Sequence, residues 1–400
     1  MRLRYIIVSG IFLPMALGVG AVSPTPLGQI VDRIVSSNAS LAAGDAAESA
    51  ALDEFDAENA IPGPELEFEH MWNSSKDGEN RWSAGVSQSL PWPGALSRRG
   101  ELKSAMSATA RYRTEAARNE LRLKVTTMLL DFVAAKKDCD MLRDVAASLT
   151  EMYERYKRAY DSGEATIIDV NKARIEAARA NMESRTAMAQ LDVYMADIMG
   201  LTSDADVAAE LSALDEYPPY ELRDIDYYLE SYGSSAEALL AESLIREAEL
   251  QGRYAKASLL PGLSLGYVHA YEDGSHFNGL SVGIGLPSWN FRSSAKSSIS
   301  RKLEASFSRD ASRIQALQNI RAEYRKAESL RKELAEFAPA VEGVNNIAIL
   351  KRALDGGELT LLAYLQESTY FVEAMREYIR LRHDYALAVC NLSRYITPAE

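Results

Sequence analysis

Few residues in this 400-residue chain have the type and spacing to do chemistry. The most regular set is Glu65, Glu67 and Glu69, which alternate with Leu66 and Phe68. A period of two belongs to a strand with one polar and one apolar face, so the three carboxylates share a face and would draw cations to it. A second set consists of Arg158, Asp161 and Asp169, matched further along by Arg352 and Asp355. Opposite charges at repeated places suit breakable ionic links, and their plain alternative is a solvated helix end, where each exposed pair is worth only about 0–1 kcal/mol. The four histidines, His70, His269, His276 and His383, show no ligand spacing. His70 and His269 lie in or at the ends of strands and could touch a metal ion in transit, or simply be solvated. There is no nucleophile motif and no phosphate loop, so no catalytic residue, cofactor or resident metal is expected.

The charges at 158–169 belong to a repeated segment. Arg158 to Ile168 reads RAYDSGEATII, and Arg352 to Leu362 reads RALDGGELTLL. Both lie between long helical patterns, so each is expected to be the tip of a helical hairpin. Gly163 and Gly357 suit the left-handed conformation that reverses a helix. Thr166 and Thr360 stand where they could cap the returning helix. Gly163, Glu164, Thr166, Gly357, Glu358 and Thr360 are therefore turn residues and, in addition, candidate contacts for a docking partner.

The helices behind the tips are long. No proline occurs between Pro93 and Pro218, and a helix over 96–161 would reach about 100 Å at 1.5 Å per residue. From Leu121 through Val125, Met128, Phe132, Ala135, Cys139 and onward to Tyr160, apolar side chains recur in steps of four and three, the seam of a coiled coil. A comparable seam begins at Tyr364, Ser368 and Phe371. The first hairpin covers 96–200. The second covers 292–396, with a break expected at Pro339 and Gly343. Lead helices are expected at 27–58, interrupted near Ala42 to Gly44, and at 234–257, with a polar linker over 201–233. Cys139 and Cys390 would sit at different heights on their helices, which favours two packed free thiols over a disulfide.

Two stretches break the helical period. Residues 64–90 and 261–287 each read as a β-hairpin, opening at Pro64 or Pro261 and ending in Leu-Pro. Each strand is about ten residues long, enough for a tilted strand to cross a bilayer. All four tryptophans, Trp72, Trp82, Trp92 and Trp289, lie in or beside these strands, as an aromatic girdle requires. A soluble β-sandwich would show the same alternation. In a barrel, Glu65, Glu67 and Glu69 would line the lumen, but four strands cannot close one, so several chains would have to share it.

The N-terminus has the form of an export signal. Arg2 and Arg4 precede an apolar run, and small residues Gly18, Gly20 and Ala21 end it, which makes 1–21 a cleaved signal peptide, the alternative being a membrane anchor. A net charge of −13 disfavours nucleic acid as a partner.

In this order the parts resemble the TolC-like outer membrane efflux proteins. The resemblance is carried by Pro64 to Phe68, Ser87 to Gly94, the tip Arg158 to Asp169, Leu260 to Gly266, Gly285 to Pro287, Phe337 to Pro339 and the tip Arg352 to Thr360. The Leu90 to Arg99 stretch is most similar to the heavy-metal efflux branch. The resemblance implies a mixed α and β fold with an internal two-fold repeat: residues 22–200 form the first copy and 234–400 the second. It implies a homotrimer in which three chains share a twelve-stranded barrel in the outer membrane of a Gram-negative bacterium, continuous with a coiled-coil tunnel in the periplasm. The tips would form the entrance and meet a periplasmic adaptor and an inner membrane pump of the resistance-nodulation-division type. The function implied is a passive exit duct for drugs, metal ions or other small solutes. The competing reading is a soluble periplasmic coiled-coil adaptor or scaffold.

Overall fold

The computed structural model describes residues 26–74, 80–272, 274–285, 291–341 and 346–396. The expected signal peptide, Trp289 and Gly343 lie outside these residues. The chain begins with helices α1 (Pro26–Ser36) and α2 (Ala39–Glu58), followed by strands β1 (Glu65–Met71) and β2 (Arg81–Leu90). Helices α3 (Pro93–Asp161) and α4 (Ile167–Met199) form the first hairpin. Two short helices, α5 (Val207–Ser212) and α6 (Ile225–Ser231), precede α7 (Ala236–Ala257), then β3 (Gly262–Glu272) and β4 (Ser275–Gly285). Helices α8 (Phe291–Val341), α9 (Asn346–Asp355) and α10 (Leu361–Ser393) complete the order.

The lead helix breaks earlier than the small residues at 42–44 suggest. Asn38 separates α1 from α2: its Oδ1 accepts from the backbone N–H of Ser40 and Leu41, and its Nδ2 donates to the Leu201 carbonyl at 2.8 Å. A capping side chain with a tertiary partner decides the break, whereas Gly44 stays helical.

Helix α3 runs unbroken for 69 residues, about 100 Å. Pro93 occupies its first turn, where a missing N–H is harmless. Its seam is inside: Val125, Phe132, Cys139, Leu142, Ala146 and Leu149 are all buried. Three cores line the helices, the first two side by side on α10 and the third nearer the tips. One joins α1, α3, the end of α4, α5 and Cys390. The next joins α6, α8 and the end of α10. The third joins α3, α4, Leu354 of α9 and the start of α10 nearer the tips. Cys139 and Cys390 are both buried and free. The second ascent is described as α8 and α9, with Pro339 inside the last turn of α8; the break expected at Gly343 falls outside the described residues.

The linker contributes more than a polar connection. Val207, Leu211, Leu214 and Tyr217 enter the first core, and Tyr228 and Tyr232 enter the second. Helices of six and seven residues are too short to display a period, so their apolar positions are hidden in a segment of acidic composition.

The strands form one antiparallel sheet in the order β1-β2-β3-β4. The two sequence hairpins are thus neighbours, joined by β2 and β3 with Val86 opposite Tyr267. No described helix is long and apolar enough to cross a membrane.

Candidate functional site

Directly paired residues in an antiparallel sheet point to the same side, so the register sorts every strand residue onto a face. One face carries Leu66, Val86, Tyr267 and Leu280 in a row, then Leu265 and Val282, then Leu90, Leu263 and Ile284. Leu66 is 86% exposed and Leu280 87%. The opposite face carries Glu65, Glu67 and Glu69 beside Ser87, Gly85 and Ser83. Gly85, Gly262, Gly266, Gly279, Gly283 and Gly285 all belong to this polar face. A Cβ on Gly266 would stand 2.7 Å from the Val86 carbonyl oxygen, and one on Gly283 would collide with the Ser264 hydroxyl. Along β3 the residues of this side, Gly262 to Val268, are partly covered while Leu263, Leu265 and Tyr267 on the other are exposed, which marks the polar side as the concave one of a curled sheet, where glycine lets the strands close in. The sheet is therefore apolar on its convex surface and acidic in its hollow.

At the turn end the convex face becomes aromatic and polar. His70, Trp82, Tyr271 and His276 form one row, and Phe68, Ala84, His269 and Asn278 the next. Trp82 lies over His269 with ring centroids 5.5 Å apart and near Phe68 at 6.3 Å; Trp72 packs on His70 at 4.9 Å. Trp92 stands at the other end, as the residue before α3. Three of the four tryptophans thus sit at the two rims. His70 and His269, read as residues that could meet a metal in transit, are on the apolar face and not in the hollow, because they share the parity of Phe68 rather than of Glu67.

At the far end of the helices the two tips have one backbone pattern. After α3, the N–H of Glu164 donates to the Ala159 carbonyl at 2.7 Å and that of Gly163 to the Tyr160 carbonyl at 2.9 Å. After α9, Glu358 donates to Ala353 at 2.8 Å and Gly357 to Leu354 at 3.1 Å. This is the paired closure that requires a left-handed residue, and Gly163 and Gly357 supply it with φ of 81° and 75°. Thr166 and Thr360 cap α4 and α10. Asp169 completes a capping box with Thr166, accepting from its hydroxyl at 2.6 Å. Its carboxylate is engaged by the cap, and Ala363 occupies the matching place in the second tip.

The tips also touch. Asp355 pairs with Arg155, Lys351 with Glu151, and Arg376 with Asp138 at 2.9 Å. The Ser148 and Tyr364 hydroxyls lie 3.0 Å apart. Lys351 holds the Glu151 carboxyl below its usual range. Sequence reasoning found Asp355 but missed Arg155, Glu151 and Lys351, which lie just before the repeated segments. Among the described residues, Arg158, Asp161 and Arg352 make no ion pair within the chain.

Higher on the helices, His383 of α10 meets Asp131 of α3 at 2.7 Å and Asp384 at 3.2 Å. The Asp131 hydrogen bond raises its pKa above 6.5, against the opposing effect of burial. Burial pushes the Cys390 thiol up to about 12, so it stays protonated and unreactive. Among the described residues no group of three or more His, Cys, Asp or Glu could hold a metal.

Solved structures share this arrangement. A membrane protein from Pseudomonas aeruginosa is 18% identical, with 93% of this chain and 90% of that one covered and a TM-score of 0.73. The CmeC outer membrane channel of Campylobacter jejuni is 17% identical over 92% and 85%, with a TM-score of 0.72. The outer membrane protein VceC of Vibrio cholerae is 15% identical over 92% and 95%, with a TM-score of 0.70. At these identities the likeness is one of fold. A comparison with curated protein sequences found no match. Residues 30–202 match the family described as outer membrane efflux protein. The matched stretch runs from α1 through β1, β2 and the first tip to the end of α4, so it contains the three glutamates and the first set of tip residues.

Proposed function

We propose that this chain is an outer membrane efflux protein, one protomer of a homotrimeric exit duct with a shared twelve-stranded barrel in the outer membrane and a helical tunnel in the periplasm. The observation that carries the reading is the sheet: convex and apolar outside, concave and acidic inside, with long helices leaving only its lower end. A soluble scaffold would have no use for Leu66, Leu280 and Val282 on an open convex surface. The sheet order leaves β1 and β4 as edges, and they run in opposite directions. In a bilayer an open edge is not tolerated. Antiparallel pairing of β4 in one copy with β1 in the next closes the ring, and three copies is the number the family resemblance implies.

On this reading Trp72, Trp82 and Trp92 anchor the two membrane interfaces. Glu65, Glu67 and Glu69 line the lumen and bias it toward cations. The tips form the periplasmic entrance, where Gly163, Glu164, Thr166, Gly357, Glu358 and Thr360 present the surface that a periplasmic adaptor meets, under an inner membrane pump of the resistance-nodulation-division type. Arg158, Asp161 and Arg352 remain available to neighbouring protomers as the closing latch, while Arg155 and Asp355 tie the two tips of one chain. Transport through such a duct is passive, with no catalytic step. The internal repeat divides the chain into 22–200 and 234–400.

Cell fractionation tests the reading. Recovery in detergent-extracted outer membrane, with heat-modifiable migration on gels, is expected; recovery in the soluble periplasm would overturn it. In planar bilayers the purified protein is expected to prefer cations, and replacing Glu65, Glu67 and Glu69 together by Gln should shift the reversal potential toward zero.

A further inference from the structure

The four histidines show no metal-binding spacing along the sequence, yet the β3–β4 hairpin brings two of them together. His269 lies on β3 and His276 on β4, diagonal neighbours on the convex face. Their rings stack with centroids 5.3 Å apart, and His269 Nε2 is 3.3 Å from His276 Nδ1. Two imidazole nitrogens bound to one tetrahedral Zn²⁺ at 2.0–2.1 Å stand about 3.3 Å apart. Square-planar neighbours at the same bond length would stand about 2.9 Å apart.

The surroundings assign the protons. Asn278 Oδ1 lies 2.5 Å from the Tyr267 hydroxyl, which donates to it, and 2.8 Å from His269 Nδ1. An amide oxygen can only accept, so His269 carries its proton on Nδ1 and presents Nε2 as a lone pair. That is the arrangement by which a second residue fixes the tautomer of a metal-binding histidine. His276 then donates its Nδ1 proton to His269 Nε2. A divalent cation can take the place of that shared proton if His276 moves its proton to Nε2, with no change in the charge of either ring.

We propose that His269 Nε2 and His276 Nδ1 form a site for a Zn²⁺-class cation at the rim marked by Trp82, oriented by Asn278 and Tyr267, with water of that rim completing the coordination. A bound ion would staple β3 to β4 at the turn end of the sheet, on the strand that forms its open edge. The proposal rests on the hairpin alone and does not depend on what passes through the barrel.

The test is a Zn²⁺ titration of the purified full-length protein in detergent, by calorimetry after chelator treatment. One Zn²⁺ per chain is expected. H269A and H276A should each weaken binding at least 10-fold. N278A should weaken it by about 10- to 100-fold, as loss of an orienting partner does, while H70A should change it less than 2-fold. His276 and Asn278 are exposed and His269 is only partly covered, so these variants are expected to keep heat-modifiable migration. Failure of the wild-type chain to bind stoichiometric Zn²⁺, or retention of wild-type affinity by H269A and H276A, would overturn the proposal.

Discussion

Replacing Leu280 with arginine separates a membrane sheet from a soluble one by energy. Leu280 is the sixth of the eleven residues of β4. Five residues on either side, at about 3.4 Å each and a tilt of about 40°, put it about 13 Å from both ends of the strand. The apolar band of an outer membrane barrel is about 25 Å tall, so in the proposed barrel this row lies at the bilayer midplane. Leu280 is 87% exposed within the chain, so its replacement removes almost no packing there. In lipid, arginine at this depth costs about 2–4 kcal/mol per chain, or roughly 6–12 kcal/mol for a barrel of three. On a soluble sheet the same change stays within about 0.5 kcal/mol of neutral. The neighbouring substitution S281R falls on the concave polar face and is the control. Urea unfolding of the protein reconstituted in vesicles, read by tryptophan fluorescence and heat-modifiable migration, gives the measurement. An L280R protein as stable as wild type, or less damaged than S281R, refutes the assignment of faces to lipid and lumen.

At the tips, G163V and G357V force a left-handed backbone on a β-branched residue and should cost about 1–2 kcal/mol each. No atom lies within 4 Å of the added Cβ at either glycine, so Asn, which tolerates this conformation, should recover most of the loss; the readout is hydrogen exchange at Glu164 and Glu358, faster by about 5- to 30-fold in the valine variants. His383 has a raised pKa, so its contact with Asp131 contributes fully below about pH 6.5 and is lost as pH rises through that elevated value. Thermal unfolding between pH 6 and 8 should show a decline in wild type that H383Q lacks. The double variant R352A with D161A should raise single-channel conductance in planar bilayers if these charges latch neighbouring protomers, and unchanged conductance would remove them from that role.

The tips were legible in the sequence because their backbone conformations restrict residue type: Gly for positive φ, Thr for a cap. The strands were legible because a period of two survives in Glu65 to Glu69 and in Leu263 to Tyr267. What escaped detection depends on pairing between distant segments. Arg155 meets Asp355 and Glu151 meets Lys351 across 200 residues, at places the repeat does not relate. The Val86–Tyr267 register is likewise unwritten in either hairpin alone, though it decides that His269 faces outward. Asp169 was readable, since Thr followed three residues later by an acid marks a capping box; its place among the tip charges obscured that local use. The His269 and His276 pair went unseen because their seven-residue separation means nothing until a turn folds it onto a diagonal.

The sheet's uncovered convex face and two open edges bear on how the protein comes to exist at all. A single copy exposes apolar side chains to water and bare backbone to lipid, so neither solvent suits it. In the proposed trimer, folding and association are one equilibrium, and the unfolding midpoint should depend on protein concentration. Before it joins that trimer, each copy presents its bare β1 and β4 edges as strand templates for the next.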